Sequence, residues 1–86
     1  MSWDYRLSSR AERALGRIPV RDRDRINRAL NEMKNDPLGG DVTPLRGEYQ
    51  GTFRRRIGSW RIIFRVRPEI QTVIIHDIRR RTSTTY

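Results

Sequence analysis

The sequence predicts an α+β domain, with two N-terminal helices packed on one face of a small, mainly antiparallel four-stranded sheet in the order β-α-α-β-β-β. Two patterns carry this expectation. Between residues 11 and 33 apolar side chains recur at helical spacing, and from Leu45 onward the chain turns to aromatic and β-branched residues suited to strands. With 86 residues, no internal repeat and no linker-like composition, residues 1–86 are expected to form a single domain with a modest core.

At the N-terminus, Trp3, Tyr5 and Leu7 alternate with Asp4 and Arg6, the period-two pattern of a strand with one buried face. Ser9, with Glu12 three residues on, can form a capping box, and Ala11, Ala14, Leu15 and Ile18 then share one helical face until Pro19. A second helix is expected from about Val20 to Asn35, where Ile26, Ala29, Leu30 and Met33 form the apolar stripe and Asp24 can pair with Arg28. The stretch NDPLGG ends that helix. Three strands follow, over residues 49–57, 60–66 and 71–78, the last two joined by a turn at Arg67, Pro68 and Glu69.

The chain carries a net charge of +9, and of its 19 basic residues only Lys34 is a lysine. Arginine forks match phosphate oxygens and stack on bases, so nucleic acid is the expected partner. The absence of cysteine excludes disulfides and thiolate metal sites. No apolar run approaches membrane-spanning length, and the first residues lack the apolar centre of a secretion signal. A cytoplasmic protein with no membrane partner is therefore expected.

Charge is densest in FRRRIGSWR, residues 53–61. A two-residue loop at Gly58 and Ser59 would pair Ile57 with Trp60 and Arg56 with Arg61. Alternation then puts Phe53, Arg55, Ile57, Trp60, Ile62 and Phe64 on the core side, and Arg54, Arg56, Arg61, Ile63 and Arg65 on the other. Arg55 is the misfit, expected at the sheet margin with its stem buried and its head in water. Arg56 opposite Arg61 is a like-charge pair that costs up to about 1 kcal/mol, so stability does not account for it and an anion-binding face does. The chain closes on IIHDIRRRTSTTY, with three more arginines and a terminal Tyr86. Basic groups that grip a backbone beside an aromatic that stacks a base suit single-stranded RNA.

Three stretches, WDYRLS, NDPLGGDVTPLRGEYQGTFRRRIGSWRIIFRV and the closing basic strand with its terminal tyrosine, follow one another in a telling order. In that order the sequence resembles the RelE/ParE superfamily of toxins from bacterial type II toxin-antitoxin systems, over essentially its whole length. The resemblance implies the fold above and a cognate antitoxin as partner in a toxin-antitoxin hetero-oligomer. Short length, clustered arginines and Tyr86 favour the RelE-like branch, known for cutting messenger RNA on the ribosome. The ParE-like branch inhibits DNA gyrase instead, and a third reading is a catalytically degenerate nucleic-acid-binding module.

For the RelE-like reading the resemblance implies a metal-independent endoribonuclease without cofactor, in which the ribose 2′-hydroxyl attacks the adjacent phosphate. The catalytic positions would be Arg54, Arg61, Arg80 and Tyr86. Arg61 matches the family's main phosphate-stabilising arginine and Arg54 a basic position near the scissile phosphate. Arg80 matches the basic residue that helps protonate the leaving oxygen, and Tyr86 the tyrosine that contacts the base. Arg46, Arg56, Arg65, Arg79 and Arg81 would bind RNA, with Arg79 and Arg81 as register alternatives to Arg80. The departures are Thr52, where the best-known members have a lysine, and Thr43, where another branch has a glutamate. Glu48, His76 and Tyr86 are then the chemical candidates for a general base, His76 being read rather as a packed or edge histidine.

Overall fold

The computed structural model describes residues 2–47 and 51–80, so the expectations for Glu48, Arg81 and Tyr86 lie outside the described residues. The chain runs β1 (Asp4–Leu7), α1 (Ser9–Arg17), α2 (Val20–Glu32), β2 (Val42–Pro44), β3 (Phe53–Ile57), β4 (Trp60–Arg67), a 3-10 turn (Pro68–Ile70) and β5 (Thr72–Arg80). The strands form one sheet ordered β1-β5-β4-β3-β2, with β1 parallel to β5 and every other neighbouring pair antiparallel.

The sheet has five strands rather than the expected four, because β2 adds an edge. Its three residues include Pro44, and a strand that short, with a residue lacking an N–H, gives little sequence signal and is tolerated at a sheet edge.

Tertiary contacts also move the helix ends. The cap of α1 is Ser8, not Ser9: its Oγ accepts from the Ala11 N–H at 3.1 Å and donates to the His76 carbonyl at 2.7 Å, while its N–H donates to the Ile75 carbonyl. Strand β5 thus fixes where the helix begins. At the other end α2 stops at Glu32, and the chain winds on through shorter bonds from Lys34 to Asn31 and from Asn35 to Glu32. The Trp3 N–H takes the Lys34 carbonyl at 2.6 Å, tying the chain entering β1 to this turn.

The helical stripes read from the sequence form the core. Ala11, Ile18, Ile26, Ala29, Leu30 and Met33 bury against Ile62, Phe64, Val73, Ile75 and Ile78 of the sheet. Phe53 stacks on Phe64 with ring centroids 5.6 Å apart.

One irregularity decides what faces where. Ile63 pairs with Asp77 but Phe64 pairs with Ile75, so His76 is an extra residue in β5, a bulge. Because of it Ile75 and Ile78, three apart, both face the core, and every residue after the bulge changes sides relative to strict alternation.

Candidate nucleic-acid interface

The hairpin forms as its sequence requires. Gly58 has φ +57° and Ser59 has no positive φ, the pattern of a loop with glycine at its first position, and Ile57 pairs with Trp60 and Arg56 with Arg61. The apolar side of the hairpin lies under the helices, and the other side forms the open face of the sheet.

On that open face the register brings Arg56, Arg61 and Arg79 into one cross-strand row over β3, β4 and β5. The next row holds Thr43, Arg54, Ile63 and Asp77. Asp77 neutralises Arg79, with Oδ2 2.8 Å from Nε, and its other oxygen accepts the Ile78 N–H. Among the described residues Arg54, Arg56, Arg61 and Arg65 make no salt bridge. The Nε atoms of Arg56 and Arg61 are shut off from solvent and lack a hydrogen-bond partner among the described residues. Two orphaned donors on directly opposed cations disfavour the folded chain, and an anion on this face would lower the like-charge term.

Arg80 is not part of this row. The bulge turns it toward the helix side, opposite Trp60 in the register, and its guanidinium lies 5.8 Å from the Trp60 ring centroid, a cation-π contact. Of the register alternatives to Arg80, Arg79 occupies the arginine face. Arg46 is exposed in the loop after β2, and Arg65 is exposed on β4. Thr43 stands beside Arg54 by register, whereas Thr52 is buried. Arg6 was not anticipated. It pairs with Ile74, which pairs with Arg65, so it shares the open face; its alternation with Tyr5 and Leu7 pointed outward, but the parallel pairing of β1 with β5 left no sequence signal.

Arg55 corrects an expectation. Its head is not in water: the residue is 8 % exposed, with Nη2 donating to Glu32 Oε1 and Nη1 to the Ala29 carbonyl at 3.4 Å. A cation placed at the carbonyl end of α2 is favoured by the helix dipole. Gly40, at φ +83°, closes over it, since a Cβ there would stand 3.1 Å from the guanidinium. The expected pair between Asp24 and Arg28 does not form; Glu32 with Arg55 is the ion pair that α2 makes among the described residues.

His76, the bulge residue, is half-buried. Burial, and then the charge of Arg65, hold its imidazole below the usual 6.5. It is therefore neutral at pH 7 and able to accept a proton.

A family model described as the ParE toxin of the type II toxin-antitoxin system parDE matches residues 5–84. The chain belongs to this family and is a toxin of the RelE/ParE superfamily. It is 32 % identical over 82 residues to Toxin RelG of Mycobacterium tuberculosis, covering 94 % of this chain and 93 % of the relative. The toxin-antitoxin complex RelBE2 of Mycobacterium tuberculosis contains a chain of the same fold, with a TM-score of 0.85, 30 % identity, and coverage of 94 % of this chain and 100 % of that one. The archaeal RelE-RelB complex of Pyrococcus horikoshii superposes with a TM-score of 0.84 at 21 % identity, over 98 % of this chain and 100 % of that one, a likeness of fold.

Proposed function

We propose that this toxin is a RelE-like, ribosome-dependent endoribonuclease that cuts messenger RNA in the cytoplasm, with the scissile phosphate held on the open face of the sheet. The row of Arg56, Arg61 and Arg79 beside Arg54 carries this reading, because it concentrates guanidiniums on one face and leaves Arg54, Arg56 and Arg61 without a carboxylate partner among the described residues. In the reaction the ribose 2′-oxygen loses its proton and bonds to phosphorus, and the bond from phosphorus to the 5′-oxygen breaks. That oxygen takes up a proton, leaving a 2′,3′-cyclic phosphate and a 5′-hydroxyl. Negative charge grows on the non-bridging oxygens, where fixed guanidiniums act without reorganising.

Arg61, in the middle of the row, is assigned the main share of that charge, with Arg54 and Arg56 on the flanking oxygens. Arg79, steadied by Asp77, faces the leaving oxygen in the role that the family resemblance implies for Arg80. Arg46 and Arg65 hold the RNA backbone, and Arg81 and Tyr86 are assigned a further backbone contact and a base contact. Orientation of the message by the ribosome supplies part of the rate. A cognate antitoxin bearing an acidic segment covers the same face; a relative was solved in the toxin-antitoxin complex RelBE2 and another in an archaeal RelE-RelB complex, which supports an antitoxin partner.

Primer extension on a reporter message in an active translation extract tests the reading. Discrete cuts that require ribosomes and vanish with Arg61→Ala are expected. The match to the ParE family supports a second reading, inhibition of DNA gyrase, which predicts intact messages and accumulated DNA breaks.

A further inference from the structure

The packing of α2 against β3 leaves a groove of about 270 Å³ walled by Arg25, Arg28, Arg55 and Arg56, with Glu32 among them and only Ala29 and Ile57 as apolar contributors. Arg55 and Glu32 neutralise each other. Arg25, Arg28 and Arg56 have no carboxylate partner among the described residues, so three arginines without a counter-charge line one concave surface. The Arg25 guanidinium lies over the hairpin loop, where a Cβ on Gly58 would meet its Nη2 at 2.9 Å.

The groove also joins the open face. Strand β2 pairs with Phe53, Arg54 and Arg55 and stops short of Arg56, whose N–H takes the Asp41 carbonyl instead. Arg56 is therefore a member of the cross-strand arginine row and a wall of the groove at once.

We infer that this groove is a second phosphate-binding site, which holds the backbone of a single-stranded RNA as it passes around the hairpin edge from the open face. The inference rests on the RNA reading proposed above. Three features favour nucleic acid over a protein segment. A docked peptide gains its affinity from apolar anchors in an apolar groove, and this one has only Ala29 and Ile57 to offer. Arginine forks suit phosphate oxygens, and the groove already holds one oxyanion, the Glu32 carboxylate on Arg55. Continuity through Arg56 lets one strand satisfy both surfaces.

The test uses the full chain and a fluorescein-labelled RNA of about 12 nucleotides with 2′-O-methyl riboses, which cannot be cut, followed by anisotropy over a range of salt. Arg25→Gln with Arg28→Gln is compared with Arg10→Gln and Arg13→Gln, two exposed α1 sites, so that net charge is matched. Losing two phosphate contacts lowers the salt slope by about 1.4 and weakens binding about tenfold, while the α1 variant stays near wild type. Lysine at both groove positions restores most of the slope, which a folding defect would not allow.

A groove variant with the wild-type slope overturns the inference, as does loss of hexaglutamate peptide binding with RNA binding intact, which would mark a protein dock. Failure of the wild type to bind the RNA overturns it too. The nuclease reading is judged separately, by cutting in the translation extract and its loss in Arg61→Ala, so either can fall while the other stands.

Discussion

Removing the Glu32 carboxylate strands the one arginine of the FRRRI strand that the fold buries. Arg55 is 8 % exposed and, among the described residues, keeps only the Ala29 carbonyl, at a long 3.4 Å, once Glu32→Ala is made. Breaking one side of a fully buried ion pair costs about 3–5 kcal/mol, and an exposed pair about 0–1 kcal/mol. Here the cation is buried but the Glu32 side chain is 58 % exposed, which places the loss between the two, at about 2 kcal/mol. Taking an acid away from the carbonyl end of α2 returns a few tenths of a kcal/mol. A net loss of about 1.5 kcal/mol lowers the melting temperature of a domain this size by about 6–12 °C. Thermal unfolding followed by circular dichroism at neutral pH measures it. Adding Arg55→Met removes the stranded charge, so the double variant melts above Glu32→Ala. A Glu32→Ala protein melting within about 2 °C of wild type, or a double variant less stable than the single, would show that Arg55 does not depend on Glu32.

Arg56→Thr removes one of two directly opposed cations, so it stabilises the hairpin by about 0.5–1 kcal/mol in denaturant melts while weakening RNA binding, opposite signs that a structural arginine would not give. Gly40→Ala forces a side chain to φ +83° against the Arg55 guanidinium and lowers stability by about 1–2 kcal/mol in the same melts. His76 is held below its usual value in the folded state, so the unfolded chain binds the extra proton more readily. Its contribution is complete above about pH 6.5 and is lost as pH falls through the lower folded value; urea titrations at pH 7.5 and 5.5 should show this loss, and His76→Gln should reduce it.

The helices and the hairpin were legible because their signals are local. Ile26, Ala29, Leu30 and Met33 keep helical spacing, and a two-residue loop with glycine first allows one pairing of Arg56 with Arg61. What the sequence could not yield depends on distant partners. The cap moved to Ser8 because the His76 carbonyl lies 68 residues away in sequence, and Arg55 turned inward because the end of α2 offers Glu32. The site suffered most from a single residue. Counting by twos from Ile75 puts Arg80 on the open face, but the His76 bulge gives that place to Arg79 and sends Arg80 to Trp60. Bulges answer to the whole sheet, and IIHDIRRR gives no local sign of one.

The most direct test of the arginine-row account is the single-turnover rate of messenger RNA cleavage on programmed ribosomes, compared for wild type, Arg61→Ala, Arg79→Ala and Arg80→Ala. The account predicts a loss of about 10²–10³ for Arg61→Ala, a smaller but clear loss for Arg79→Ala, and little change for Arg80→Ala. Cleavage by Arg61→Ala at the wild-type rate, or a wild-type protein that leaves the message intact, would contradict it.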